Sequence, residues 1–211
     1  MHQLMTSREM AKIACASCEG CGDCCRGMDD TIHLDPYDMY TLSKGLTTTF
    51  DRLLEKRIGL HVEEGLVLPH LLMGASGACT FLGPDGRCSI HAIRPGFCRL
   101  FPLGREYNGE GFAYFVVEGG CPRPGKSPVR IRKWLDIPDL PRYEGFISDW
   151  HYFTGDVKKL LRAGENADLN RRIALFILET FYVAPYRTGE DFYGQFYERL
   201  EKAAGALHLS D

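Results

Sequence analysis

Apolar residues recur along this chain at two spacings, and the change from one to the other outlines its organisation. Met39, Leu42 and Leu46 share one helical face behind Asp35-Pro36, an N-cap followed by proline at the first helical position. Phe50, Leu53, Leu54 and Ile58 repeat the pattern behind a threonine run able to cap it, which predicts a second short helix. The pattern then shortens. Pro84-Asp85-Gly86 lies between Phe81-Leu82 and Cys88-Ser89-Ile90, and Asn108-Gly109 lies between Arg105–Tyr107 and Tyr114–Val117; both are hairpin signals.

Helical spacing returns in the C-terminal part. Phe146, Trp150, Phe153, Val157, Leu160 and Leu161 form one stripe; Leu169, Ile173, Phe176, Ile177 and Phe181 form a second. Phe192, Phe196, Leu200, Ala203 and Leu207 form a third. Their aromatic density is read as packed core rather than as a cofactor pocket. The segment 121–128 is rich in helix breakers and reads as a linker. The expected fold class is therefore α+β: a lobe of short helices and β-hairpins over 1–128, followed by a helical bundle over 129–211.

Composition narrows the choices. A chain of 211 residues can bury one good core, or one core with a small appended lobe. Its formal charge of −3, with signs mixed throughout, gives no basic footprint for a phosphate backbone or an anionic lipid surface. Neither nucleic acid nor membrane is expected as a partner. Arg8, Glu9 and Lys12 interrupt the N-terminal stretch where an export signal needs apolar residues, and no apolar run approaches the ~18 residues that cross a bilayer. A cytoplasmic setting is expected, where thiols stay reduced.

In that setting nine cysteines, all between Cys15 and Cys121, point to metal rather than to disulfides. The run Cys15-Ala-Ser-Cys18-Glu-Gly-Cys21-Gly-Asp-Cys24-Cys25 places five thiols in eleven residues. Two-residue gaps let a chain turn around one ion with both sulfurs reaching it, and Gly20 and Gly22 give the backbone that freedom. Cys79, Cys88, Cys98 and Cys121 are separated by eight, nine and twenty-two residues, gaps suited to sulfurs projecting from hairpin ends.

If Cys24 and Cys25 lie in an extended segment, their side chains point to opposite sides. Then either two four-thiolate centres share this stretch or one thiolate bridges within a polynuclear site. Cys18, Cys21, Cys24, Cys25, Cys79, Cys88, Cys98 and Cys121 supply the eight sulfurs of two tetrahedral centres, leaving Cys15 spare. A competing partition takes Cys15, Cys18, Cys21 and Cys25, whose gaps of two, two and three match the bacterial ferredoxin run, with Arg26 in place of the usual proline. Arg26, Arg87, Arg94, Arg99 and Arg123 are near the thiols in sequence, and some are expected to hydrogen-bond sulfur.

The combination of Cys18-x2-Cys21-x2-Cys24-Cys25 with Cys79, Cys88-Ser-Ile-His91, Arg94-Pro95-Gly-Phe-Cys98-Arg99 and Phe101-Pro102 resembles the bacterial YkgJ-type cysteine-cluster family, whose members are described as chelators of zinc or iron. The resemblance runs from about Cys18 to Cys121. It implies a metal-binding protein whose cluster holds iron, as iron–sulfur or as Fe alone, or zinc, with a redox or metal-handling role. Some relatives carry the label flagellin lysine N-methylase, so a protein-modifying enzyme is the alternative, with a zinc-stapled interaction module as a third reading. His91 stands where tyrosine is common in that family and is a candidate ligand. No phosphate loop, dinucleotide fingerprint or nucleophile elbow occurs, and no catalytic residue is assigned.

Overall fold

The computed structural model describes residues 2–15 and 21–209. In chain order the elements are β1 (Met10–Ala14), a 3-10 turn (Asp23–Cys25), α1 (Pro36–Leu46), α2 (Phe50–Leu54), β2 (Ile58–Glu63) and β3 (Leu66–Leu71). A second 3-10 turn (His91–Ile93), α3 (Gly96–Leu100), β4 (Leu103–Tyr107), β5 (Phe112–Val116), β6 (Ser127–Arg130) and α4 (Ile131–Leu135) follow. The chain continues through α5 (Leu140–Ala163), α6 (Ala167–Leu178), a π turn (Glu179–Val183) and α7 (Phe192–Leu207). The strands pair only in antiparallel twos, β1 with β6, β2 with β3 and β4 with β5, which makes the protein α+β as expected.

Two compact units are interleaved along the sequence. The first combines residues 1–32 with 73–148, the second 33–72 with 149–211. These units cut the chain elsewhere than at residue 128. The end of the stretch read as a linker is β6, whose Val129 and Pro128 pair with Ala11 and Lys12 of β1. Every described cysteine lies in the first unit.

The first unit is built on two ladders. β4 and β5 pair from Leu103↔Val116 to Tyr107↔Phe112, and Met5 exchanges both backbone bonds with Tyr114 at 2.8 Å. Ile131 and Arg132 then donate to the carbonyls of Glu9 and Ser7, fixing the start of α4 against the chain leading into β1. Ile13, Tyr114, Ile131, Leu135, Tyr143 and Phe146 are buried, as one-sided ladders and amphipathic helices require. Residues 72–90 contain neither helix nor strand, only isolated bridges and turns.

In the second unit α1 opens with a full capping box: Asp35 accepts from the Asp38 amide at 2.8 Å, and Asp38 accepts from the Asp35 amide at 3.1 Å. The predicted second helix is shorter than its apolar pattern. It ends at Leu54, and Ile58 begins β2, because Glu64-Gly65, both at positive φ, make a hairpin turn that draws 58–63 into pairing with 66–71. The stripe read on α6 coincides with the buried face only in part. Leu169 and Phe176 are 49% and 37% exposed, whereas Ala174, Ile177 and Leu178 are buried. These three precede the buried Phe181 at helical spacing, so Ile177 and Phe181 were placed correctly and Leu169 and Phe176 lie off that face. Trp150, Phe153, Phe181 and Phe196 pack ring against ring, and the Tyr182 hydroxyl donates to the Leu34 carbonyl at 3.0 Å. These aromatics are core, as expected. No helix of the described residues is long and apolar enough to cross a membrane.

Candidate metal centre

Backbone bonds bring the dense cysteine run against the loop that carries Cys79 and Cys88. The Cys79 amide donates to the Cys25 carbonyl at 2.8 Å, Arg26 bridges Ala78, and the Gly27 amide donates to the Gly77 carbonyl at 2.8 Å. Beyond Cys79 the chain turns: Leu82 donates to the Cys79 carbonyl at 2.9 Å and forms a bridge with Cys88 around Asp85-Gly86. That turn is the hairpin predicted from sequence, reduced to a single bridge. Gly22 packs against it at φ 63°, where a Cβ would lie 3.0 Å from the Gly86 carbonyl oxygen. Glycine is required there both by conformation and by space.

Cys24 and Cys25 are in a 3-10 turn, closed by the Cys25 amide donating to Gly22 at 3.1 Å. They are not extended. With about three residues per turn, adjacent side chains diverge by roughly 120° rather than pointing oppositely. The argument from opposite sides therefore does not apply to this pair. Interaction with its neighbour Cys25 brings the Cys24 pKa down to about 7, and the same interaction followed by burial pushes that of Cys25 up. Cys88 and Cys79 raise Cys25 further by their charge, and burial followed by Cys79 and Cys24 raises Cys88. Cys24, Cys25, Cys79 and Cys88 thus share one electrostatic neighbourhood.

Arginines frame it unequally. Arg94 acts by its charge on Cys24, Cys88 and Cys98, and donates to the His91 carbonyl at 2.9 Å. It also meets His91 Nδ1 at 3.2 Å; arginine has only donors, so that nitrogen accepts. Burial, then Arg94 and Arg99, lower the His91 pKa. Arg99 serves backbone instead, donating to the carbonyls of Ala92, Arg94 and Asp136 at 2.7, 3.0 and 2.6 Å.

Arg123 is the arginine seen to bond sulfur: its Nε donates to Cys21 Sγ at 3.0 Å, while Nη2 lies 3.0 Å from Asp23. Beside it the Cys15 thiol donates to the Pro124 carbonyl at 3.6 Å, and Lys126 donates to the Cys121 carbonyl at 2.8 Å. Sequence reasoning had left Cys15 spare in one partition and a ligand in the other, and had not singled out Asp23 or Lys126. Only the β1–β6 pairing brings 121–127 to this place, and no local pattern announces it. Cys18 lies outside the described residues.

No two of the eight described cysteines are joined to each other by a disulfide. As the side chains stand, no three His, Cys, Asp or Glu donors among the described residues converge on a point that one ion could occupy. The Cys15 thiol is engaged through its proton with the Pro124 carbonyl, and loss of that proton on metal binding removes the contact. Thiol donors fit zinc or iron and are too soft for magnesium or calcium.

Fold and site together define a small α+β thiol-cluster protein. Residues 17–116 match the CxxCxxCC family, described as "Putative zinc- or iron-chelating domain", in agreement with the resemblance drawn from the motifs. No curated protein and no solved structure matches the chain.

Proposed function

We propose that the protein is a thiolate metal-binding protein in which Cys18, Cys21, Cys24, Cys25, Cys79, Cys88, Cys98 and Cys121 hold iron as iron–sulfur and serve a redox or metal-handling role. The observation that carries this reading is the shared neighbourhood of Cys24, Cys25, Cys79 and Cys88, four thiols from two distant stretches brought together by backbone bonds and joined in no disulfide. Bound iron–sulfur would supply one-electron chemistry. Arg94 and Arg123 would offset the negative charge of the sulfurs, and Gly22 would keep the dense run against the Asp85-Gly86 turn. Free thiols in this number accord with a reducing, cytoplasmic compartment.

A zinc reading has one observation of its own. Residues 72–90 span a long stretch without helix or strand, held by turns and isolated bridges, where a closed thiolate zinc site would act as a further staple. Anaerobic purification followed by an absorbance spectrum and analysis for iron, zinc and acid-labile sulfide on one sample decides between them. Brown protein with stoichiometric iron and sulfide is expected. Colourless protein holding stoichiometric zinc would overturn the redox reading and leave the staple.

A further inference from the structure

The β2–β3 hairpin has one covered edge and one open edge. Its register runs without a shift from Ile58↔Leu71 to Glu63↔Leu66, where the two-residue turn Glu64-Gly65 closes it. A turn of that length makes its flanking pair, Glu63 and Leu66, a hydrogen-bonded one, and alternation then gives the backbone groups of Gly59, His61 and Glu63 to β3. Those of Ile58, Leu60 and Val62 therefore point away from β3. The outer edge of β3 is taken, since the Pro69 carbonyl accepts from the Leu34 amide at 2.9 Å. On the outer edge of β2, no backbone bond joins Ile58, Leu60 or Val62 to another segment among the described residues. Leu60 and Val62 are 45% and 63% exposed there, and within Ile58–Glu63 no proline, lysine or bulge guards the edge.

We infer that the open edge of β2 pairs with β2 of a second copy of this chain, antiparallel about a two-fold axis at Leu60, so that two hairpins form one four-stranded sheet. Only residues whose backbone points outward can bond across the axis, which limits the pairing to registers that set even-numbered residues against even-numbered ones. Charge selects among these. With Leu60 opposite Leu60, Ile58 faces Val62, and Arg57 faces Glu63 on both sides of the axis, opposite charges in a non-hydrogen-bonded pair, where side chains lie closest. Arg57 is in register for this, because its carbonyl extends the ladder by accepting from the Leu72 amide at 2.9 Å. Sliding one strand by two residues in one direction sets Arg57 against Gly65; in the other it sets Glu63 against Glu55. Glu63 keeps its own Lys158 at 2.6 Å through Oε2 and accepts from Arg57 of the second copy through Oε1. The same register lays Leu60 and Val62 of the two copies beside one another and takes their apolar surface out of water. The contact is isologous and closes at two copies. It lies in the unit that carries none of the described cysteines, and it is independent of the metal reading.

Sedimentation equilibrium of the full reduced chain, from roughly micromolar to millimolar concentration, should show monomer passing into dimer. Amide exchange followed by NMR on the wild type needs no variant to fold. Ile58, Leu60 and Val62 should gain protection as concentration rises, while Gly59, His61 and Glu63, already bonded to β3 in one copy, should change little. Leu60→Lys should abolish the dimer, and Arg57→Glu should weaken it by about tenfold, since it sets like charges across the axis twice. Both side chains are exposed, so far-UV circular dichroism should match wild type. A chain that stays monomeric throughout overturns the inference and leaves the edge to an extended segment of another protein. A dimer in which Ile58, Leu60 and Val62 exchange as they do in the monomer, or which Leu60→Lys leaves intact, overturns it as well by placing the contact elsewhere.

Discussion

The amide of Cys79 is hydrogen-bonded to the carbonyl of Cys25 at 2.8 Å, so two candidate ligands from distant parts of the sequence are joined by main chain before any metal is present. The bond makes the approach of these two segments a property of the fold. Metal then completes an arrangement whose backbone is already in register, which lowers the ordering cost that binding otherwise carries.

Gly22 should be the most sensitive glycine near the thiols. Gly22→Ala combines a left-handed backbone, costing about 1–2 kcal/mol, with a Cβ placed 3.0 Å from the Gly86 carbonyl oxygen. Gly27→Ala has the same φ of 63° and nothing within 4 Å, so it carries the conformational part alone. Urea denaturation should show Gly22→Ala as the less stable of the two, with weaker metal retention. Equal losses would remove the steric argument.

Arg123→Ala should separate metal holding from stability. Its pair with Asp23 is exposed and screened by solvent, so the denaturation midpoint should scarcely move. Release of zinc to a competing chelator should nevertheless quicken by about tenfold or more, because the donor to Cys21 Sγ is lost. Arg123→Lys, which keeps charge without the Nε contact, should resemble Ala more than wild type.

Asp35→Ala provides the opposite case. It removes half of the capping box of α1, in the unit that carries none of the described cysteines, and should cost about 1–2 kcal/mol. Metal stoichiometry measured on the folded protein should stay at the wild-type value. A change in stoichiometry would show that the second unit contributes to metal holding.

The Glu63–Lys158 ion pair gives a pH dependence of definite sign. Lys158, at 2.6 Å, holds the Glu63 pKa below its ordinary value by hydrogen bonding first and by charge as well. A depressed carboxylate stabilises the fold above its unfolded pKa of about 4.3 and loses that contribution as pH falls through the lower folded value. Glu63 is partly exposed, so the effect is under about 1 kcal/mol. Glu63→Gln should therefore be slightly less stable than wild type at pH 7, and the gap should close in acid; a gap that widens in acid would reverse the assignment.

Chelation should expose residues 72–90 first. Held by turns and isolated bridges rather than by helix or ladder, this stretch should become the preferred site of limited proteolysis when zinc or iron is removed, while α5, α6 and α7 stay resistant. Identical cleavage patterns with and without chelator would mean that metal does not hold this loop.

Much of the architecture was legible because local chemistry dictated it. Asp35-Pro36 starts a helix by capping and by proline geometry, and Asn108-Gly109 turns a hairpin, whatever the rest of the chain does. The thiols themselves were equally plain from their spacing. What local pattern could not show were effects that depend on distant partners. Ile58 reads as the end of a helix until β3 pairs with it. The conformation of Cys24-Cys25 followed from Gly22 and the Gly86 turn, and the approach of Cys15 to Pro124 from a strand formed more than a hundred residues later.

The interleaving of the two units has a bearing on how the molecule can be dissected. His33 bridges His70 and Leu34 donates to the Pro69 carbonyl, so the excursion from 33 to 72 leaves and returns at neighbouring points. A fragment that stops at residue 128 keeps all the cysteines yet discards Ile131, Tyr143 and Phe146, which are core of the unit that carries the described ones. The unit that carries the described cysteines is discontinuous, so a fragment that isolates it would splice residues up to 32 to residues 73–148 and excise the excursion as a cassette.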